Sequence, residues 1–203
     1  MLAVRELIRD FGERRVVGPL TADARGGERI ALVGPNGSGK SSFLRCVAGV
    51  LAPSGGTVSI GGFAAGSRAA KELIGASLSQ ERSFYLRLTG EANLLIFAEL
   101  RQAAAQAKAS VRSVIEELDI AAIAQQRVDR CSTGMVQQLA LARAMLGGPS
   151  LLLLDEPTRS LDAEAVERLW SAVERRPAVT LLIATHRPED VARCDRSIAF
   201  AAA

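Results

Sequence analysis

The chain has 203 residues, of which 48% are hydrophobic and 4% aromatic, and its formal net charge at pH 7 is +3. This length can bury a substantial core, so one domain is expected, with room for an inserted subdomain. The charge is only mildly basic, and Lys and Arg do not cluster with aromatic residues, so no nucleic acid partner is expected. No apolar run approaches the ~20 residues that span a bilayer, which argues against a membrane segment.

The cysteines and the N-terminal residues bear on the cellular compartment. Cys46, Cys131 and Cys194 are odd in number and far apart, so neither a disulfide framework nor a zinc site is expected. Residues 1–7 carry charges within their apolar stretch, so an export signal is not expected. A reduced, cytosolic setting is therefore predicted.

Read in chain order, the first part of the sequence predicts β structure around one helix. Strands are predicted at residues 2–9 and 16–22, as a hairpin, at 30–33, within a Gly-rich segment at 53–62, and at 73–78. Residues 40–48 have the apolar spacing of an amphipathic helix.

Helical patterns dominate the middle of the chain, and strands return after it. Residues 89–147 are rich in Ala, Leu, Gln and Arg, with apolar residues at helical spacing and few turn signals, so consecutive helices are predicted. Strand signals at 151–154 and 179–184 alternate with helical segments at 164–174 and 188–192. This alternation predicts an α/β fold with a mostly parallel sheet.

A glycine-rich motif lies between the strand at 30–33 and the helix at 40–48. Its residues match the phosphate-loop pattern G-x-x-x-x-G-K-[ST] in full, and Ser42 follows directly: Gly34, Pro35, Asn36, Gly37, Ser38, Gly39, Lys40 and Ser41. Glycines let backbone N–H groups converge on phosphates, where Lys40 neutralises charge and the Ser41 hydroxyl holds Mg²⁺. The helix that follows directs its positive end at the same anion. The motif predicts a site for a nucleoside triphosphate.

Two carboxylates follow the apolar strand at 151–154. In an open α/β sheet, ligands lie at the carboxyl ends of the strands. Asp155 is therefore predicted to face the Mg²⁺ held by Ser41, and Glu156 to lie near an attacking water. A strand that merely ends in two solvated acids is the alternative, and the upstream phosphate loop weighs against it.

These segments together predict a P-loop NTPase core with an insertion. The core is expected to comprise residues 1–80 and 149–203, with a small antiparallel β region near the N-terminus. An all-helical subdomain is expected at 81–148, within that core. A strand-like segment at 197–200 closes the sequence, so no C-terminal regulatory domain is expected.

A further motif precedes the acidic pair. The residues Cys131-Ser132-Thr133-Gly134-Met135 and the helical run at 136–146 resemble the signature motif and helix of ABC ATPases, usually written L-S-G-G-Q. A Ser and a Gly at a helix N-terminus present a hydroxyl and free N–H groups to an anion. Ser132 and Gly134 are retained here, while Cys131, Thr133 and Met135 depart from the pattern. This S-T-G-M form is similar to that of bacterial export-type ATPases.

Other residues match the same family in chain order, so the resemblance extends over nearly the whole chain. Gln80 matches the Q-loop glutamine, which contacts Mg²⁺ or water, and Asp162 in Ser160-Leu161-Asp162 matches the D-loop. His186, the chain's one histidine, matches the switch histidine. Phe11 matches the aromatic residue that stacks on adenine, with a core position as the alternative.

The resemblance implies an ATPase, the nucleotide-binding subunit of an ABC transporter, with export the favoured direction. It implies Glu156, His186 and Gln80 as catalytic residues, and Ser41, Gln80 and Asp155 as ligands of Mg²⁺. ATP would lie between this site and Ser132 and Gly134 of a second copy, in a head-to-tail homodimer or a heterodimer with a related ATPase.

The resemblance also implies a partner in the membrane. A separate permease subunit would hold the chain at the cytoplasmic, inner face of the cell membrane. Phe84 and Tyr85, just beyond Gln80, are similar in position to the exporter segment that packs against that subunit, with ordinary core as the alternative. A soluble ABC ATPase outside transport and a small P-loop kinase are the rival functions. The kinase would have no use for the signature motif or for His186.

Overall fold

The computed structural model describes residues 1–78, 83–101 and 103–201. They form two compact units. The first unit comprises Met1–Ile74, Ser150–Glu156 and Ala178–Ala203, and the second comprises Gly75–Pro149 and Pro157–Pro177. The predicted start of the helical subdomain at residue 81 lies outside the described residues, and the predicted domain bounds stay a prediction.

The elements have the following bounds. The strands are β1 (Leu2–Phe11), β2 (Arg14–Ala24), β3 (Arg29–Val33), β4 (Gly55–Ile60), β5 (Phe63–Ala64), β6 (Ile74–Ser77), β7 (Leu151–Asp155), β8 (Thr180–Ala184) and β9 (Arg196–Ala199). The helices are α1 (Lys40–Val47), α2 (Arg68–Leu73), α3 (Gly90–Glu99), α4 (Ala104–Glu117), α5 (Ala121–Ala124), α6 (Thr133–Met145), α7 (Ala163–Glu174) and α8 (Pro188–Ala192). Among the described residues, none of these helices combines the length and hydropathy that crossing a bilayer requires.

An antiparallel sheet forms one part of the first unit. Its strand order is β2-β1-β4-β5, and β1 pairs with both β2 and β4. Leu2, Val4 and Leu7 of β1 are buried, so apolar burial fixes this strand in the middle of the sheet. The small antiparallel region predicted near the N-terminus is confirmed.

A parallel sheet forms the other part of the first unit. Four of its five strands lie there, in the order β7-β8-β3-β9. Every residue of β7 and β8 is buried, as expected for parallel strands that are covered on both faces. The predicted α/β fold with a mostly parallel sheet is confirmed.

The second unit is built mainly from helices, and Asn93 fixes the loop that leads into α3. The Asn93 Nδ2 atom donates to the carbonyls of Tyr85 (3.1 Å) and Thr89 (2.9 Å), and its Oδ1 accepts from the Tyr85 N–H (2.7 Å). The side chain is fully buried. Because a buried amide must find partners, Asn93 holds the backbone of this loop in one conformation.

A short helix, α2, precedes the strand predicted at 73–78, and the sequence did not predict it. It has six residues, and the Ser67 hydroxyl caps it by accepting from the Ala70 N–H at 3.2 Å. Six residues are too few to show a helical period. The strand itself spans Ile74–Ser77.

Phe84 and Tyr85 have opposite environments. Phe84 is only 6% exposed, and its ring lies edge-on to that of Phe97, with centroids 5.9 Å apart. The Arg143 guanidinium lies 5.0 Å from both ring centroids and donates to the Ser83 hydroxyl. Tyr85 is 58% exposed. The core alternative therefore applies to Phe84, and only Tyr85 has an exposed ring.

We predict that Phe84→Ala lowers the free energy of unfolding by about 3–5 kcal/mol, since it empties a site enclosed by Phe97 and Arg143. Tyr85→Ala is the control and should change it by no more than about 0.5 kcal/mol, because that side chain is exposed. Urea unfolding followed by the fluorescence of Trp170, the single tryptophan, measures both. Equal losses in the two variants would contradict the packing described.

Candidate nucleotide-binding site

The register of three parallel strands brings the predicted site residues of the first unit to one edge. Ala184 of β8 pairs with Leu32 of β3 on one side and with Asp155 of β7 on the other. The chain leaves all three strands within two residues of this row. The phosphate loop, the acidic pair and the segment containing His186 therefore begin side by side.

The phosphate loop depends on a close approach at Gly39. This residue precedes α1 with φ of 98°, and a Cβ there would lie 2.2 Å from the Val16 carbonyl oxygen. Both the left-handed backbone and the lack of space require glycine. The Lys40 Nζ atom donates to the carbonyls of Gly34 (2.7 Å) and Pro35 (2.9 Å), so the lysine closes the loop on itself.

The loop has the features of an anion site. No side chain among the described residues caps α1, and its first turn contains no acidic residue. Its N-terminal N–H groups and positive dipole are therefore available to an anion. The Ser38 hydroxyl is buried and has no hydrogen-bond partner among the described residues. Ser41 and Ser42 open the helix and are partly exposed. These groups fit the phosphates of a nucleotide and its Mg²⁺.

Glu156 is held in an unusual backbone conformation. Its φ is 51°, a left-handed value that is uncommon for a residue other than glycine, and its N–H donates to the Ala184 carbonyl at 2.9 Å. Its Oε1 lies 3.1 Å from the Nε2 of His186. Asp155, one residue earlier, is buried. The turn thus separates two adjacent carboxylates, with Glu156 at His186.

A cavity joins the phosphate loop to the segment after β8. Its volume is about 700 Å³, and it is lined by Val33, Gly34, Pro35, Thr185, His186, Pro188, Val191 and Ala192. Strand register brings Glu156 to His186 and places both loops at this cavity. The spacing of residues in the sequence does not reveal that register.

The signature residues lie in the second unit, at the start of α6. The Ser132 hydroxyl accepts from the Met135 N–H at 3.2 Å, and the Met135 sulfur accepts from the Ser132 N–H at 3.4 Å. Methionine, a weak acceptor, therefore takes the place that Glu or Gln has in a capping box. Burial first, and then the Asp129 carboxylate, raise the pKa of the Cys131 thiol, so it adds no charge beside Ser132 at neutral pH.

The signature turn also touches the segment that contains Asp162. A Cβ on Gly134 would lie 2.6 Å from the Ser160 carbonyl oxygen, so glycine permits this approach. The Asp162 carboxylate caps α7 by accepting from the Ala165 N–H at 2.8 Å, a structural role the sequence reading did not include. Its predicted contact with nucleotide stays a prediction.

Two other predicted residues have different outcomes. Gln80, proposed as a catalytic residue and Mg²⁺ ligand, lies outside the described residues. Phe11 ends β1 with 47% of its surface exposed, so the core alternative for it is wrong. The Arg9 guanidinium lies 4.4 Å from the centroid of its ring, a contact the sequence reading missed. Stacking of Phe11 on adenine stays a prediction.

Comparison with known proteins adds a family match. A family model described as "ABC transporter" matches residues 17–159. The chain is 35% identical over 199 residues to Nod factor export ATP-binding protein I of Rhizobium meliloti (strain 1021). The aligned region covers 95% of this chain and 59% of that protein. It spans 55% to 65% of the length of this relative and two others with the same name.

Solved structures resemble the fold. The dimeric structure of MJ0796, a bacterial ABC transporter cassette, superposes with a TM-score of 0.88 at 20% identity and covers 100% of this chain and 95% of that one. A dimeric structure of the same cassette in a post-hydrolysis state, bound to ADP and Pi, gives a TM-score of 0.87 at 20% identity, with 98% and 94% covered. At this identity the likeness concerns the fold alone.

Proposed function

The chain belongs to the ABC transporter family, and from that premise we propose that it is the ATP-hydrolysing subunit of a transporter. The observation that carries the proposal is the pairing of Glu156 and His186, 3.1 Å apart, beside a closed phosphate loop. A carboxylate held in a left-handed turn next to an imidazole suits proton transfer from a water molecule.

The proposed reaction is an in-line attack of water on the γ-phosphorus of ATP. Lys40 and the N–H groups of the loop bind the phosphates, and Glu156 takes a proton from the attacking water while His186 orients the Glu156 carboxylate. The bond from the γ-phosphorus to the bridging oxygen breaks, which gives ADP and phosphate. Mg²⁺, when bound, neutralises charge on the phosphates, and Ser41 and Asp155 would hold it.

The donor set agrees with that role for Mg²⁺. Among residues 1–78, 83–101 and 103–201, no three His, Cys, Asp or Glu side chains form a group that could hold a metal. Mg²⁺ commonly takes one or two protein ligands and completes its shell with phosphate oxygens and water. One carboxylate, Asp155, and one hydroxyl, Ser41, match the number and type of protein ligands that Mg²⁺ takes beside phosphates.

We also propose that two copies, or this chain and a related ATPase, close head to tail on ATP. Ser132 and Gly134 of one copy would contact the γ-phosphate bound by the other, through the N-terminal N–H groups of α6. Because such a ligand touches both copies, ATP would stabilise the closed dimer, and hydrolysis would remove the contacts that hold it shut.

An exposed apolar group supports a membrane subunit as partner. Tyr85, Leu86 and Leu88 are all exposed in the loop held by Asn93, here called the docking loop (residues 83–89). Tyr85 and Leu86 are each more than half exposed, in a loop whose backbone is fixed. We propose that a permease binds here on the cytoplasmic side of the membrane. The names of the relatives favour export, and a soluble ABC ATPase outside transport is the alternative.

Lys40→Ala should weaken ATP binding by about 10- to 100-fold, because it removes a charge-assisted contact to the phosphates, a contact of about 1.5–3 kcal/mol, and opens the loop. The matched control is Lys108→Ala, an exposed lysine in α4, which should leave affinity unchanged. Titration with a fluorescent ATP analogue gives the affinities, and thermal melting verifies the fold. Unchanged affinity in folded Lys40→Ala protein would remove the loop from the site.

Glu156→Gln should lower the hydrolysis rate by about 10²- to 10⁴-fold, because the amide keeps the shape of the side chain but cannot take a proton. ATP binding should persist, so the variant should accumulate as a dimer in Mg-ATP. Asp155→Asn should instead weaken Mg²⁺-dependent binding and give no trapped dimer. Phosphate release and sizing chromatography measure these effects.

Two outcomes of that experiment would contradict different parts of the proposal. A Glu156→Gln protein that hydrolyses ATP at the wild-type rate would remove Glu156 from the mechanism. A Glu156→Gln protein that binds ATP without hydrolysing it and stays monomeric would count against the head-to-tail dimer.

The double change Tyr85→Ala and Leu86→Ala should weaken association with the permease more than it lowers the basal ATPase rate. Central apolar residues in interfaces often contribute about 2 kcal/mol or more each, so a loss of at least tenfold is expected. Leu100→Ala is the control, since Leu100 is 76% exposed but lies outside the docking loop. Co-purification from detergent-solubilised membranes measures association, and equal retention by both variants would exclude the docking loop as the contact.

A further inference from the structure

Asp190 is a buried carboxylate that the proposed reaction does not use. It lies in α8 and has no exposed surface. Its Oδ2 accepts a hydrogen bond from the Thr185 hydroxyl at 2.9 Å, and both side chains are buried. A buried carboxylate is costly unless it is hydrogen-bonded, so this pair fixes the position of α8 relative to the end of β8.

The Thr185 hydroxyl both donates and accepts a hydrogen bond. It donates to Asp190, and it accepts from the Arg187 N–H at 3.1 Å. His186 lies between Thr185 and Arg187, so its backbone is held on both sides by one hydroxyl group. The Thr185 N–H in turn donates to the Leu32 carbonyl at 3.3 Å, which ties the same residue to β3.

We propose that Thr185 and Asp190 are positioning residues that hold the His186 imidazole at Glu156. The inference rests on the proposed function, in which His186 orients Glu156. The helix α8 has five residues, too few to be stable by itself. Its position therefore depends on contacts such as the hydrogen bond from Thr185 to the buried Asp190. Its other side, with Pro188, Val191 and Ala192, lines the cavity that His186 also lines.

Thr180, at the other end of β8, provides a control that distinguishes loss of positioning from a general loss of stability. Thr180 is also fully buried, and its hydroxyl donates to the Arg25 carbonyl at 2.9 Å and accepts from the Gly27 N–H at 3.2 Å. It has the same two-way bonding as Thr185 but touches neither the residues around His186 nor α8 through these bonds. Thr180→Val therefore also removes a buried hydroxyl with one donated and one accepted bond, without the proposed effect. Its acceptor is a neutral carbonyl, whereas that of Thr185 is a carboxylate.

The kinetic test compares Thr185→Val with Thr180→Val and Thr185→Ser. Thr185→Val should lower kcat by about 10- to 100-fold with KM for ATP changed by less than about threefold, because it misplaces a group that acts in the reaction. Thr185→Ser keeps the hydroxyl and should retain kcat to within about threefold. Thr180→Val should retain kcat even if its melting temperature falls as much as that of Thr185→Val. Equal losses of kcat in the two valine variants would overturn the positioning role.

A spectroscopic test does not depend on activity. The chain has a single histidine, so protein without a histidine tag gives one imidazole Hε1 signal by NMR. Thr185→Val should shift or split this signal, whereas Thr180→Val should leave it in place. An unmoved signal in Thr185→Val would overturn the inference. If that variant does not fold, Asp190→Asn is tested by kcat and by the Hε1 signal. Wild-type kcat together with an unmoved signal in Asp190→Asn would overturn the positioning role.

His186→Ala distinguishes failure of the inference from failure of the proposed function. Wild-type kcat in His186→Ala would remove His186 from the reaction, and the NMR signal of Thr185→Val would still decide whether Thr185 positions it. A large loss of kcat in His186→Ala together with full activity in Thr185→Val would leave the proposed function standing and overturn the inference alone.

Discussion

The row of backbone pairs from Leu32 through Ala184 to Asp155 is the constraint on which the site of the first unit depends. Parallel strands in register end at the same level, so each loop starts beside the next. A one-residue slip of β7 would reverse the faces of its side chains and separate Glu156 from His186.

Close backbone approaches shape both halves of the proposed ATP site. Gly39 lets the phosphate loop meet the Val16 carbonyl, and Gly134 lets the signature turn meet the Ser160 carbonyl. In each case the absence of a side chain permits two backbone segments to approach closely. The glycines of the two motifs therefore permit close backbone packing, in addition to any contact with phosphate. A larger residue at either position would displace the backbone of its motif.

Helix α6 connects two features of the second unit. Its N-terminus is capped by Ser132, and toward its other end Arg143 lies against Phe84 and donates to Ser83 of the docking loop. The residues proposed to contact a partner's ATP and those proposed to contact a permease are therefore attached to one rigid element. Phe84 faces inward to make this contact, while Tyr85 is left exposed.

The sequence by itself determined the fold class, the order of most elements and the motif residues, because periodicity and short motifs are local signals. It missed α2, which is too short to show a period, and it left the environments of Phe11 and Phe84 open, since an aromatic residue suits either a core or a surface. Only the tertiary structure decided the left-handed turn at Glu156, its approach to His186, and the bonds of Thr185 to Asp190 and Arg187. Strand register sets the approach of Glu156 to His186. The bonds of Thr185 reach only two and five residues along the chain, but they depend on the burial of Thr185 and Asp190, which residue spacing does not encode.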